Sequence, residues 1–296
     1  MLVTLRKAFD QLMQQERLNF LITNRIPRRS LTLFMGWFSK VRNPIVRTIS
    51  IGVWSRFADL HLEEAKRTSF ESLHDCFVRE LKPGARLINS HPDVLVSPCD
   101  GIVGACGEIK GTEVFQAKGF PYELIDLVGT PQLVEKYRDG IFVTIRITSS
   151  MYHRFHAPLD CRIRSVNYIS GDTWNVNPIA LRRIEKLFCK NERAVIEVTS
   201  EDTAETVLLV AVAAVLVASI RLHCANVLLH LRYRGSNAIT CDAFYKKGEE
   251  LGWFEHGSTI LVFAPKGFLL DASVTEGAPL KMGCPLMRRP RLMSTT

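Results

Sequence analysis

Apolar positions fall into two textures along the chain. At the front, Leu2, Leu5, Phe9, Leu12 and Met13 recur at helical spacing. Pro27 breaks that pattern, and residues 31–41 then carry Leu31, Leu33, Phe34, Met35, Trp37 and Phe38 and close on Lys40 and Arg42. Pro44 breaks it again before a third helical segment over 45–60, with Trp54 and Phe57. From about residue 66 the texture changes. One more helix is predicted over 70–81, stopped by Lys82-Pro83-Gly84. Short β-type runs follow at 94–96, 102–106, 114–116, 141–147, 162–169, 194–198, 207–220 and 260–263, punctuated by Gly, Pro, Asn and Asp. Residues 124–127 and 132–137 read as short helices. The longest apolar run, VLLVAVAAVLVASI from 207 to 220, is Val-rich and falls short of the roughly 20 residues a membrane helix needs. It therefore reads as one or two buried strands. The expected fold class is α+β: a helical region at 1–65 and a β-rich body at 66–296.

Charge sharpens the division. The formal net charge is +8. Residues 1–60 hold ten Lys or Arg against three acids, a surplus of seven, so nearly all the excess sits at the front. Such a bias suits anionic lipid or nucleic acid. Aromatic and aliphatic residues interleaved with Arg and Lys favour lipid: the apolar face of an interfacial helix enters the acyl boundary while its cations meet headgroups. The alternative is a helix packed by its apolar face on its own domain. No nucleic-acid-binding motif is present. Eight scattered cysteines form no C-x-x-C pair, which points away from a zinc ribbon and towards reduced thiols in a cytosol-facing protein. No signal peptide is visible.

Three polar clusters interrupt the apolar body. Ser97-Pro98-Cys99-Asp100-Gly101 puts an acid in a tight turn between two apolar runs. Tyr152-His153-Arg154-Phe155-His156-Ala157-Pro158 carries two histidines three residues apart, and Glu255-His256-Gly257-Ser258-Thr259 sets a serine between a glycine and the apolar run ILVF. Serine, histidine and aspartate are the parts of a nucleophile–base–orienter triad. Each also has a plainer reading: Asp100 as a turn cap, the histidines as surface residues or a metal pair, Ser258 as an ordinary entry to a strand. A serine hydrolase would want a G-x-S-x-G elbow, and none is present.

Taken in order along the chain, these clusters resemble the phosphatidylserine decarboxylases of bacterial and mitochondrial type. The resemblance covers nearly the whole sequence: FVRELKPGARLI at 77–88, SPCDGIV at 97–103, QAKGFPY at 116–122, YHRFHAP at 152–158, NVNP at 175–178, NERAV at 191–195 and KGEELGWFEHGSTILVF at 247–263. Cys99, Ala211 and Cys161 depart from the usual pattern but remove no reacting group. The resemblance implies a proenzyme that cuts itself between Gly257 and Ser258 into a beta chain, 1–257, and an alpha chain, 258–296. His156 would take the Ser258 proton with Asp100 holding the imidazole, and Thr259 would help fix the turn. Ser258 would become a covalently bound pyruvoyl group, the cofactor, which forms a Schiff base with phosphatidylserine. CO2 then leaves, and His153 acts as general acid/base to give phosphatidylethanolamine. The implied partners are phosphatidylserine, an anionic membrane surface and the two chains of one precursor. The implied location is peripheral, on the cytoplasmic face of the cell membrane. No metal and no nucleic acid is implied, and homo-oligomerisation is left open. Alternatives are a non-cleaving membrane-bound relative without decarboxylase activity and a decarboxylase of another serine-headgroup lipid.

Overall fold

The computed structural model describes residues 15–117, 120–216, 219–255 and 258–289. Three helices open it: α1 (Glu16–Asn24), α2 (Arg28–Phe38) and α3 (Pro44–Phe57), with a short α4 (Leu73–Phe77) after them. The helical periodicity over residues 2–13 lies outside the described residues. The boundaries follow local chemistry. Asn43 caps α3 through its side-chain oxygen, which accepts from Ile45 N at 2.9 Å, and Pro44 occupies the first turn. Ser72 caps α4 by accepting from Asp75 N at 3.1 Å. The expected helix over 70–81 is only five residues long. Its next turn is lost because tertiary partners take its backbone: Arg154 donates to Val78 O at 2.9 and 2.6 Å, and Lys66 N donates to Glu80 O at 2.9 Å.

The body is built from strands β1 (Val94–Val96), β2 (Gly101–Glu108), β3 (Glu113–Ala117), β4 (Phe120–Glu123), β5 (Ile141–Ile147), β6 (Arg154–His156), β7 (Cys161–Ile169), β8 (Arg193–Ser200), β9 (Thr206–Ala213), β10 (Ser219–Leu222), β11 (Val227–His230), β12 (Ala238–Tyr245), β13 (Glu250–Phe254), β14 (Ser258–Ala264), β15 (Leu269–Leu270), β16 (Pro279–Leu280) and β17 (Pro285–Arg288). An antiparallel eight-stranded sheet runs β12-β7-β8-β9-β14-β5-β2-β16. A four-stranded sheet, β11-β10-β13-β6, packs on one face of it, with Phe155, Ile220, Leu222, Leu251 and Phe254 meeting Ile145, Ala211, Ile260 and Val262 in one core. The opposite face is covered by short helices that bring Leu124, Leu127, Tyr137, Leu181 and Phe188 against Phe142, Val210, Leu261 and Phe263. Central strand β14 is thus buried on both sides. That explains its unbroken apolar run, since a strand covered on both faces loses the alternation of a half-exposed one. The run at 207–220 supplies two strands, β9 and the start of β10, parted where Leu216 adopts φ +72°.

The front helices meet the rest of the chain through polar as well as apolar residues. Asn19, Asn24, Thr32 and Ser39 are buried. Asn177 Nδ2 donates to Asn19 Oδ1 at 3.0 Å, Asn175 N to Asn24 Oδ1 at 3.1 Å, and Leu216 N to Thr32 Oγ1 at 3.0 Å. Arg28 pairs with Asp172 at 2.6 Å. Leu21, Ile22, Phe34, Trp37, Ile45, Ile49, Val53 and Phe57 face outward instead, with Ile45 71% and Trp37 65% exposed. The apolar surface of these helices is thus divided: Phe20, Ile51 and Trp54 pack inward, Trp54 stacked on Phe77 at 4.0 Å, while the residues just named face outward. Among the described residues no helix is long and apolar enough to cross a membrane.

Candidate active site

Ser258 is the first residue of β14, paired with Ile147 of β5 on one side and Ala213 of β9 on the other. It is fully buried, and its Oγ has no hydrogen-bond partner among the described residues. The Thr259 hydroxyl is buried and unbonded in the same way. Gly257 and His256 lie outside the described residues.

Asp100 ends the turn before β2. The next residue, Gly101, has to be glycine: a Cβ there would meet Ile145 Cγ2 at 2.4 Å and Arg146 O at 2.9 Å. This close approach draws β2 against β5 and fixes Asp100 at the sheet end that holds Ser258. The two residues stand on strands flanking β5, about 10 Å apart by strand spacing. The Asp100 carboxylate accepts from Arg86 Nε at 2.9 Å and Nη2 at 2.5 Å, and from Met282 N at 2.9 Å. Arg86 also reaches Glu64 at 2.8 Å. Burial opposes the charge on Arg86, but the bonds to Asp100 and Glu64 outweigh it and raise its pKa.

His156 closes β6, and its backbone N donates to Pro98 O at 2.8 Å, which sets it beside the Asp100 turn. Its ring is fixed at both nitrogens. Nδ1 lies 2.9 Å from Gly248 O, and Nε2 lies 3.0 Å from Tyr152 Oη. A carbonyl only accepts, so Nδ1 carries the proton and the Nε2 lone pair receives the Tyr152 hydroxyl. Burial, partly offset by the bond to Gly248, lowers its pKa, so the imidazole rests neutral. Asp100 is close enough to act on it through charge but forms no hydrogen bond with it.

His153 is fully buried, and neither ring nitrogen has a hydrogen-bond partner. Its ring stands edge-on to Phe77, 5.5 Å between centroids. Burial first, and the Arg79 cation second, push its pKa down to about 3. Burial thus overrides the neutral-pH titration expected of a free imidazole. The His153 carbonyl accepts from Phe254 N at 3.0 Å, tying it to the strand that leads towards Ser258.

The structure therefore gathers Asp100, His153, His156 and Ser258 at one end of the two packed sheets. No hydrogen bond joins Asp100, His156 and Ser258 among the described residues. Sequence reasoning did not assign Arg86, Tyr152 or the Gly248 carbonyl. All three fall in or beside the motif stretches, but their partners are distant in sequence, so only the fold pairs them. A cavity of about 520 Å³ opens beside the site. Met35 and Trp54 of the front helices, with Phe77, form one wall, and Arg146, Ile147 and Leu216 form the other.

Comparison with known proteins gives the family. The phosphatidylserine decarboxylase family model matches residues 73–288. The chain is 34% identical over 275 residues to a phosphatidylserine decarboxylase proenzyme of Vibrio cholerae, covering 88% of this chain and 94% of that one. It is 32% identical over 273 residues to the proenzyme of Glaesserella parasuis, covering 87% and 90%. With the proenzyme of Haemophilus influenzae it shares 32% over 271 residues, covering 87% and 91%. On a match across most of its length, and with Asp100, both histidines and Ser258 gathered at one site, the chain belongs to the phosphatidylserine decarboxylase family.

Proposed function

We propose that this chain is a proenzyme that cuts itself between Gly257 and Ser258 and then decarboxylates phosphatidylserine to phosphatidylethanolamine at the new end of β14. The observation that carries this reading is Ser258 itself: a buried hydroxyl with no bond to break, at the end of a strand locked on both sides, in a chain of this family. An unsatisfied buried hydroxyl costs stability, and a reacting group is a physical reason to keep one.

In the first reaction the Nε2 lone pair of neutral His156, which accepts from the Tyr152 hydroxyl at rest, is released by Tyr152 and takes the Ser258 proton. Ser258 Oγ adds to the Gly257 carbonyl, and the amide bond gives way to an ester as the Ser258 nitrogen gains a proton. Asp100 stabilises the imidazolium through space, held in place by Arg86. Loss of the Ser258 α-proton then expels the Gly257 carboxylate, and water replaces the nitrogen as ammonia. The pyruvoyl group derived from Ser258 would be held at the head of β14 and would supply an electron sink when CO2 departs. His153, neutral throughout, relays a proton to the α-carbon once CO2 has gone, one ring nitrogen giving up its proton as the other takes one from water.

The outward apolar residues of the front helices support a peripheral seat on the cell membrane. They face outward beside basic ones, as an interfacial helix on an anionic surface requires. The cavity between these helices and the body gives the headgroup a route to Ser258.

Denaturing electrophoresis with end-group sequencing tests the reading. Purified protein should give fragments of 257 residues and 39 residues, the difference from 296, with the shorter one blocked at its N-terminus. Ser258→Ala should leave the chain whole and inactive, while His153→Ala should cut yet fail to decarboxylate. Protein that decarboxylates phosphatidylserine as one uncut chain would overturn the mechanism.

A further inference from the structure

Arg146 is the feature the mechanism leaves unused. It lies on β5 opposite Thr259, next to Ile147, the cross-strand neighbour of Ser258. It lines the cavity between the front helices and the body, and it is half-buried. Every other arginine around the site is engaged: Arg79 with Ser150 O, Arg86 with Asp100 and Arg154 with Glu250. The Arg146 guanidinium makes no hydrogen bond or ion pair with any described residue. Glu276 attracts it through space without touching it, and burial lowers its pKa, which records the cost of desolvating an unpaired cation. A cation held at such cost against walls of Trp54, Phe77, Ile147 and Leu216 suits a ligand that brings its own anion and an apolar remainder.

We propose that Arg146 binds the phosphodiester of the substrate headgroup. The inference rests on the decarboxylase reading above and names which substrate anion goes where. Phosphatidylserine carries two anions, and chemistry separates them. A guanidinium on the carboxylate would stabilise the charge that must be lost with CO2, and so would favour the ground state over the transition state. The phosphodiester keeps its charge throughout, so a fixed cation on it anchors the substrate without opposing the reaction. Three bonds separate the serine α-carbon from phosphorus. Arg146 and Thr259 share the sheet face opposite to Ile147 and Ser258, because side chains alternate along a strand, and the cavity at this sheet end is lined by both Arg146 and Ile147. A forked guanidinium also matches two phosphate oxygens at once.

Steady-state kinetics of the mature enzyme on phosphatidylserine in mixed micelles tests the assignment. Arg146→Met should raise KM by about tenfold to a hundredfold, the range for loss of a charged hydrogen-bonded contact, with kcat within about threefold of the parent. Arg146→Lys should recover most of that loss. Glycerophosphoethanolamine, a diester without acyl chains, should compete with the parent and not with Arg146→Met; competition by inorganic phosphate alone would make the site a general anion site and overturn the assignment. The fragment pattern on a gel, unchanged from the parent, shows that each variant has folded and cut itself. An unchanged KM in Arg146→Met, or a fall in kcat at constant KM, also overturns it. Parent protein that neither cuts itself nor releases CO2 would instead refute the decarboxylase reading beneath it.

Discussion

Two histidines three residues apart meet very different surroundings. His156 is gripped at both nitrogens, by Gly248 O and the Tyr152 hydroxyl, and so has one defined lone pair. His153 is fully buried, and burial with the nearby Arg79 cation holds it neutral against the weaker pull of the Met151 backbone. The difference predicts a pH dependence of stability. The folded-state pKa of His153, about 3, lies below its ordinary 6.5. Above about pH 6.5 neither state takes the proton, and the stability is fully present. Between the two values the unfolded chain binds a proton that the native chain refuses, so stability falls as pH falls, levelling off below the native value. One such group is worth about 1.4 kcal/mol per pH unit, hence about 2 kcal/mol between pH 7 and pH 5. Denaturant unfolding at both pH values, on the uncut Ser258→Ala chain with and without His153→Leu, reads it. The chain retaining His153 should lose about 2 kcal/mol more than its partner; parallel pH curves would show that His153 is not held neutral.

At the scale of elements, most of the body was legible because burial leaves a pattern. The runs at 94–96 and 141–147 coincide with β1 and β5, and five others fall inside observed strands. The strands that were missed have physical reasons. β12 is an edge strand whose residues alternate between exposed and partly buried, so little apolar signal remains. β13 contains Gly252, which reads as a breaker in sequence but admits the Arg221 carbonyl, 1.9 Å from where a Cβ would stand. The candidate site was legible in its reacting groups and illegible in their supports. A sequence shows that Asp100 is an acid; it does not show that Arg86 holds it. The front helices were legible as amphipathic, but which side faces the body was not. The buried asparagines settled that. Their outward apolar face predicts binding to anionic vesicles, measured by co-sedimentation of the full chain. Trp37→Ser with Ile45→Ser, both exposed, should weaken binding about tenfold or more while leaving the fold unchanged, since both side chains lie mostly in solvent and Trp37 touches only the exposed ring of Phe34 among the described aromatic rings. Equal binding by parent and variant would remove these helices from the membrane contact.

Across the whole molecule the proposed cut falls where the chain is held on both sides. Upstream, Glu255 is buried, pairs with Lys40 in the turn after α2 at 2.9 Å and accepts from the Ser219 hydroxyl at 2.8 Å. Downstream, Ser258 opens a strand paired through its length with β5 and along most of it with β9. The segment after the cut does not stop at β14. It returns through β16 to pair with β2, and through β17 to join β1 to β15. Residues 260–264 alone bury five apolar side chains completely, on the order of 10 kcal/mol of transfer free energy. Most of that burial is against residues 1–257, so cleaving the backbone releases two ends without releasing a fragment. Native gel filtration of the cut protein should therefore carry both chains in a single peak, although the same sample shows two bands on a denaturing gel. Strong denaturant should split the peak in two. Elution of the 39-residue chain by itself in native buffer would mean that β14 is held less firmly than its burial and pairing require.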